Sequence, residues 1–175
     1  MIIGISGYAR SGKNATAGML VGLHGYEARA FAEPIRTALL TLNPILESGF
    51  RLNELVKDYG WEVAKSKLEV RRLLQVFGTE IGRNMFGQDF WVDQAIKGLN
   101  STDKIVFADC RFPNEADKIK QLGGDVWRIT RPGVGAINSH PSEHALDSWA
   151  FDRVITNDGD LQDLKFKVSV AVSDL

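Results

Sequence analysis

Apolar and polar positions follow two alternating patterns along the chain. Short apolar runs bounded by glycine, proline or polar residues predict strands at 2–6, 26–31, 104–109, 125–130 and 153–156. Apolar residues at helical spacing predict helices between them, at about 12–23, 33–40, 113–122 and 161–172. Strands that alternate with helices are typical of a doubly wound α/β fold with a parallel sheet, whose ligands bind beyond the carboxyl ends of the strands.

Two stretches depart from this alternation. Residues from about 52 to 98 show only helical periodicities, interrupted near Gly60, Gly78 and Gly87, and they predict a helical insertion. Residues 131–143 are rich in proline, glycine, serine and asparagine, which predicts a mobile loop before the last strand. The whole pattern is that of one domain over residues 1–175.

Composition and charge are those of an ordinary globular domain. The 175 residues are 44% apolar and 25% charged, and the net charge of −1 offers no general attraction to nucleic acid or to an anionic membrane. Cys110 is the only cysteine, so neither an internal disulfide nor a cysteine-based metal site is expected. The N-terminal residues read as a first strand rather than as a signal or membrane segment, so a cytoplasmic location is expected. The near-neutral charge predicts a small partner.

The segment between the first strand and the first helix carries the most specific motif. Residues 7–13 read Gly-Tyr-Ala-Arg-Ser-Gly-Lys and match the first seven positions of G-x-x-x-x-G-K-[ST]. In such a loop the backbone N–H groups and the helix N-terminus surround phosphate oxygens, while the lysine reaches the outer phosphates. The candidate ATP-binding residues here are Gly7, Ala9, Arg10, Ser11, Gly12, Lys13 and Asn14. The alternative, a glycine turn with a solvated lysine, is disfavoured by the strand and helix on either side.

A magnesium site is predicted from two residues. Asn14 occupies the position that usually supplies a hydroxyl to Mg²⁺, and its amide oxygen can ligate the ion directly or through water. Asp109 follows the apolar run at 105–108, where a carboxylate would hold Mg²⁺ through water; its alternative role is to cap the following turn. Thr16 is a poor substitute for the missing hydroxyl, because two residues further along a helix it points elsewhere. Arg111 would project near the same site.

The helical insertion contains a polar stripe. On a helical wheel, one face comprises Val70, Leu73, Leu74, Phe77, Ile81 and Met85, and the opposite face comprises Arg72, Gln75, Thr79 and Arg83. Two guanidinium groups with an amide and a hydroxyl between them suit a phosphate-bearing acceptor. Three aromatic residues are near enough in sequence to offer a stacking surface to a base, namely Phe86, Phe90 and Trp91. A solvated face with an ion pair between Glu80 and Arg83 explains the stripe equally well.

Arg128 and Arg131 flank the start of the loop at 131–143. From there they could swing over phosphates and neutralise the charge that develops during transfer, as the lid of a kinase does. Surface solvation is the alternative for both, and more so for Arg128, whose strand position allows it to point outward. A metal site in this loop is disfavoured because no further protein ligand set is evident. Its candidate ligands would be His140, Glu143 and His144.

With these segments in place, the sequence resembles the phage-type deoxynucleoside monophosphate kinases of the P-loop kinase class. The resemblance spans nearly the whole chain, and its most specific parts are GTEIGR at 78–83 and ADCRFPNEA at 108–116. The other matching stretches are GYARSGK at 7–13, FAEPIR at 31–36, FGQDFWV at 86–92, RPG at 131–133, HPSE at 140–143 and ITNDGDLQDL at 155–164. Asn14 departs from the acidic or hydroxyl residue usual at its position in relatives.

The resemblance implies a three-layer P-loop fold with a helical region, over about 32–100, that binds the monophosphate through residues 71–92. It implies that residues 131–143 form a lid, and it suggests a homodimer. The loop that it places beside the adenine of ATP comprises Asn157, Asp158 and Gly159.

Together these features predict a kinase that transfers the terminal phosphoryl group of ATP, with Mg²⁺, to a (deoxy)nucleoside 5′-monophosphate. The predicted catalytic residues are Lys13, Asp109 and Arg131, and the predicted acceptor-binding residues are Arg72, Gln75, Thr79, Arg83, Trp91 and Arg111. Another small-molecule P-loop kinase, such as one for dephospho-coenzyme A, is an alternative. A nucleotide-binding switch or sensor is a second one, although the chain lacks the D-x-x-G and N-K-x-D motifs of GTPases. The residues themselves specify neither the base nor the sugar.

Overall fold

Five strands are present where apolar runs predicted them, and they form one parallel sheet. The strands are β1 (Ile2–Ser6), β2 (Glu27–Arg29), β3 (Ile105–Phe107), β4 (Asp125–Thr130) and β5 (Arg153–Thr156). Their order in the sheet is β2-β3-β1-β4-β5, and every pairing is parallel. The computed structural model describes residues 1–136 and 141–175.

Helices occupy most of the chain between the strands. They are α1 (Lys13–His24), α2 (Glu33–Leu42), α3 (Leu52–Ala64), α4 (Leu68–Gln75), a π-helix (Val76–Phe86), α5 (Phe90–Ile96), α6 (Pro113–Gln121), α7 (Pro141–His144) and α8 (Leu161–Ser173). The predicted helices at 12–23, 33–40, 113–122 and 161–172 are therefore confirmed. Among the described residues, none of the helices has the length and apolar character that a bilayer crossing requires.

Both faces of the sheet are covered, as a buried parallel sheet requires. Ile3 and Ile5 of β1 share an apolar core with residues of α1 and α8, which contact each other. Gly4 points to the other face, where it lies beside Ile119 of α6 and the buried Cys110. Helices on the two faces make three layers, and the predicted α/β fold class is confirmed.

The chain divides into two compact units, which are described separately. Met1–Phe31 and Gly98–Leu175 form the sheet unit, and Ala32–Lys97 form a helical unit. The helical unit has its own apolar core, built around the fully buried side chains of Leu39 and Leu52. The predicted absence of strands between 52 and 98 is confirmed for this unit. That residues 1–175 act as one domain, with the acceptor region at about 32–100, stays a prediction.

The helical unit differs from the sequence pattern at residues 76–86. Gly60 kinks α3 and Gly87 follows the π-helix, so these two predicted interruptions are confirmed. The predicted interruption at Gly78 is wrong, because this residue lies inside the π-helix. Met85, assigned to the apolar face, is 71% exposed, so its assignment is also wrong. The i→i+5 hydrogen bonds of a π-helix widen the turn, and a wheel of 3.6 residues therefore misplaces side chains there.

Trp91 supports the π-helix from α5. Its indole N–H lies 3.1 Å from the carbonyl oxygens of both Phe77 and Gly78, and it donates to them. The close approach depends on Gly82, since a Cβ at that position would lie 1.8 Å from the indole nitrogen. Trp91 is only 8% exposed, so these hydrogen bonds are largely shielded from water.

Replacing Gly82 by alanine should destabilise the protein by about 2 kcal/mol or more, because the new methyl group would displace the indole from its carbonyl partners. Equilibrium unfolding in urea measures this change. The matched control is Gly18→Ala in α1, where nothing lies within 4 Å of an added Cβ. Alanine favours the helix at this position, and a gain of about 0.5 kcal/mol is expected. An unchanged free energy of unfolding for Gly82→Ala would contradict the packing of Trp91.

Candidate active site

The glycine loop leads from the end of β1 into the N-terminus of α1. Gly12 is the N-cap residue of α1 and has a left-handed φ of 114°, which favours glycine. Within the described part of the chain, no side chain caps α1 and no acidic residue lies in its first turn. The first N–H groups and the positive end of the helix dipole therefore remain available to an anion.

Lys13 folds back across this loop. Its Nζ donates to the carbonyl oxygens of Gly7 and Tyr8, at 2.6 and 2.8 Å. Burial and, to a lesser extent, the nearby positive charge of Arg111 lower the pKa of Lys13 to about 8, while Glu143 acts in the opposite direction. A poorly solvated ammonium group at the mouth of the loop is suited to bind phosphate oxygens.

Asn157, which follows β5, holds the loop from the side. Its Nδ2 donates to the carbonyl oxygen of Ser11 at 2.9 Å, and its backbone N–H donates to Thr130. A Cβ on Gly12 would lie 2.6 Å from this Nδ2, so the contact needs glycine there as well. This places Asn157 against the phosphate loop. Its role beside adenine, like that of its neighbours, stays a prediction.

The remaining predicted donor residues lie around the same loop. Ala9 is half-buried, and Arg10 is exposed with a left-handed φ of 68°. Ser11 is 1% exposed, and its hydroxyl has no hydrogen-bond partner among the described residues. Asp158 forms an ion pair with Lys167, whose hydrogen bond holds the pKa of Asp158 below its usual value. Gly159 is exposed and directly precedes the N-cap residue of α8.

The two predicted magnesium ligands are hard oxygen donors on neighbouring elements. Asn14 is exposed in the first turn of α1. Asp109 lies just beyond β3, and its Oδ1 accepts a hydrogen bond of 2.9 Å from the backbone N–H of Phe31. Among the described residues there is no group of three or more acidic, histidine or cysteine side chains that could hold a metal. Mg²⁺ commonly takes one or two protein ligands and completes its shell with water and substrate phosphates, so these residues fit it.

Several charged side chains lie near the carboxyl ends of the strands. Arg111 pairs with Glu143, with 3.4 Å between Nη1 and Oε1, and the second carboxylate oxygen of Glu143 is buried without a described hydrogen-bond partner. Arg131 is exposed immediately after β4. Residues 137–140 of the predicted lid, including His140, lie outside the described residues. The lid and the role of Arg131 stay predictions.

The side chain of Arg128 is buried and does not point outward into solvent, which the sequence had allowed. It is 9% exposed, and it donates to the Ser6 hydroxyl and to the Asp147 carboxylate at 3.2 and 3.1 Å. Its guanidinium also lies over the ring of Tyr8, at 4.6 Å from the centroid. Because β4 lies inside the sheet, both of its faces are buried. A charged residue in such a strand signals a buried partner, and sequence reasoning missed this signal.

The polar stripe crosses the boundary between α4 and the π-helix. Arg72 and Gln75 are exposed in α4, while Thr79 is exposed and Arg83 is half-buried in the π-helix. The stripe therefore faces solvent over most of its length. Acceptor binding by these four residues, and by Trp91 and Arg111, stays a prediction.

The parallel sheet and the lysine-bearing glycine loop between β1 and α1 define a P-loop nucleotide-binding protein. A family model described as deoxynucleotide monophosphate kinase matches residues 47–168. The chain belongs to the deoxynucleotide monophosphate kinase family. The resemblance and the enzyme class predicted from the sequence are thereby confirmed.

Two relatives and one solved structure show the range of similarity. A protein of Acanthamoeba polyphaga mimivirus, described as a deoxynucleotide monophosphate kinase, is 30% identical over 193 positions, which cover 99% of this chain and 97% of the relative. The deoxynucleotide monophosphate kinase of Enterobacteria phage T4 is 35% identical over 104 residues, 57% of this chain and 43% of the phage protein. The match therefore spans less than half of the phage enzyme. Dephospho-CoA kinase from Campylobacter jejuni superposes with a TM-score of 0.48 at 15% identity, over 99% of this chain and 96% of that one.

Raising the pH from about 7 to about 9 should weaken ATP binding roughly tenfold, because Lys13 with a pKa of about 8 loses its charge over this interval in the free protein. Bound phosphate favours the charged lysine, so binding takes up a proton above the pKa. Isothermal titration calorimetry across the interval measures the effect.

The control for this titration is Lys13→Arg, whose guanidinium stays charged throughout and should make the affinity nearly independent of pH. A wild-type affinity that is constant between these pH values would contradict the lowered pKa of Lys13.

Proposed function

We propose that the protein transfers the γ-phosphoryl group of ATP to a deoxynucleoside 5′-monophosphate and so produces ADP and the diphosphate. The observation that carries this proposal is Lys13, whose ammonium group is held across the glycine loop at the open N-terminus of α1. Membership of the deoxynucleotide monophosphate kinase family supports the choice of acceptor.

On the donor side, the loop N–H groups and Lys13 hold the β- and γ-phosphates. Arg111 adds a second positive charge near Lys13, as its influence on the lysine pKa indicates. Arg131 follows β4 and covers the γ-phosphate when the segment over 131–143 closes as a lid. These cations stabilise the charge that develops on the transferred group, which is the main task of a phosphotransferase.

Magnesium would be held by Asn14 and Asp109, together with phosphate oxygens and water. When bound, Mg²⁺ neutralises charge on the donor phosphates. Asp109 keeps its position because its other contact, with the backbone of Phe31, ties it to the chain that leaves β2.

On the acceptor side, Arg72 and Arg83 bind the monophosphate, and Gln75 and Thr79 supply neutral donors and acceptors beside them. The solvent exposure of Arg72 and Gln75 supports this role, because a ligand can reach them. The acceptor phosphate is already anionic, so no general base is needed, and catalysis depends on positioning and charge neutralisation.

The remaining expectations belong to the same proposal. The enzyme acts in the cytoplasm on small nucleotides, without nucleic acid, and as a homodimer. Its net charge of −1 supports the lack of a nucleic-acid partner. The family membership does not favour the dephospho-coenzyme A alternative.

An acceptor panel tests the proposed reaction. ADP formation from ATP should require a deoxynucleoside monophosphate and should be small with dephospho-coenzyme A, shikimate or gluconate. Ribonucleoside monophosphates belong in the panel because no described residue has been assigned to excluding a 2′-hydroxyl. Turnover confined to a non-nucleotide acceptor would refute the substrate class, and ATP binding without any acceptor-dependent turnover would favour a sensor.

Arg72→Ala should raise the KM for the acceptor about tenfold or more and leave the KM for ATP unchanged, because a charge-assisted phosphate contact is lost. The matched control is Arg51→Ala, which removes an exposed arginine of the same unit that lies outside residues 71–92; its Nη1 donates to the backbone carbonyl of Asn43 at 3.1 Å. Arg51→Ala should not change the acceptor KM. Equal kinetic effects of the two substitutions would count against the assignment of Arg72.

A further inference from the structure

A network of ionic groups and hydrogen bonds connects the glycine loop to the buried side chain of Arg128. The Asp147 carboxylate accepts from the Tyr8 hydroxyl at 2.9 Å and from Arg128 at 3.1 Å, both through Oδ1. Its other oxygen lies 2.9 Å from Nδ1 of His144, at the end of α7. Asp147 therefore joins the loop, strand β4 and the segment that follows the predicted lid.

The guanidinium of Arg128 is surrounded on several sides. Besides Asp147 and Ser6, it contacts two aromatic rings, at 4.6 Å from the Tyr8 centroid and 5.5 Å from the Phe151 centroid. Removing a charge from water is costly unless it is paired and hydrogen-bonded, and stacking on aromatic rings offsets part of that loss. The contacts with Ser6 and Tyr8 fix both the end of β1 and the second residue of the loop.

A single residue, Tyr8, connects the network to the donor site. Tyr8 provides its side chain to Asp147 and Arg128 and its carbonyl oxygen to Lys13. A shift of the Tyr8 side chain therefore moves one of the two carbonyl groups that hold the Lys13 ammonium. The hydrogen bond to Asp147 raises the pKa of the Tyr8 hydroxyl, as expected for a protonated hydroxyl that donates to a carboxylate.

We propose that Arg128 and Asp147 are positioning residues for the donor phosphates, because they hold Tyr8 and through it the loop that carries Lys13. Neither residue needs to touch ATP for this role. The inference rests on the proposed function, in that the loop is taken to bind the phosphates of ATP. Preorganised loops bind anions more tightly because less conformational freedom is lost on binding.

The test uses three substitutions in the full chain. Tyr8→Phe removes only the hydroxyl, Asp147→Asn removes the charge but keeps the shape, and the double variant combines them. The matched control is Asp174→Asn, which removes a carboxylate that accepts from another arginine, Arg153, near the C-terminus. Calorimetry measures ATP binding without acceptor, and steady-state kinetics give the KM for each substrate.

Each single substitution should raise the dissociation constant for ATP about fivefold, the loss expected for one hydrogen bond. The double variant should raise the dissociation constant for ATP by no more than about tenfold, because the two groups act as a unit. The acceptor KM should stay within about twofold of wild type, and Asp174→Asn should change neither constant. A general loss of stability would not produce this difference between ATP and the acceptor.

The proposal is overturned if the folded variants Tyr8→Phe and Asp147→Asn both bind ATP as tightly as the wild type. It is also overturned if the acceptor KM rises by the same factor as the dissociation constant for ATP. Arg128→Lys adds a further check, since lysine keeps the charge but loses the planar fork and should not restore wild-type affinity. The wild-type protein distinguishes failure of this proposal from failure of the proposed function. If the proposed function is wrong, the wild-type protein shows no acceptor-dependent turnover, but ATP binding by the variants still tests the role of the network.

Discussion

The position of β1 in the middle of the sheet is the constraint on which the site depends. It is hydrogen-bonded to β3 on one side and β4 on the other, and helices cover both of its faces. Neither its register nor its tilt can change without breaking buried hydrogen bonds. The start of the glycine loop is therefore fixed by β1. The end of the loop is fixed as well, because α1 packs on the same sheet. A loop held at both ends can keep its N–H groups in one orientation.

The same arrangement concentrates positive charge in a chain whose net charge is only −1. Lys13 and Arg111 lie close enough for the charge of Arg111 to lower the pKa of Lys13, and Arg128 is buried nearby. In the free protein Asp109, Glu143 and Asp147 offset part of this repulsion. A polyphosphate would offset more of it, so the protein gives up some stability in its free state to gain affinity for an anion.

Much of the fold could be predicted from the sequence because the relevant signals are local. An apolar run that ends in glycine, as at Ser6 and Gly7, indicates both the strand and the loop after it, and the predicted limits of β1, β4 and β5 agree with the structure. The π-helix was not predictable from apolar spacing, since it is defined by its hydrogen bonds, and its close contact between Gly82 and Trp91 joins residues of two different helices.

The donor loop was recognisable for the same reason, because its motif is contiguous. The network of Arg128 and Asp147 was not, since Asp147 lies 19 residues from Arg128 and 139 from Tyr8, and these side chains meet only when β4 lies beside β1. The side chain of Arg128 was misjudged because alternation along a strand indicates an exposed face only when the sheet has one.

The burial of Cys110 has a practical consequence for studying this protein. The thiol is 1% exposed beside Gly4, and burial raises its pKa well above the ordinary value, so the reactive thiolate is scarce in the folded state. Since it is also the only cysteine, the rate at which a thiol reagent modifies the native protein reports on how often the region next to β1 opens. The wild-type chain thus contains its own single-site probe of local unfolding at the strand that leads into the phosphate loop.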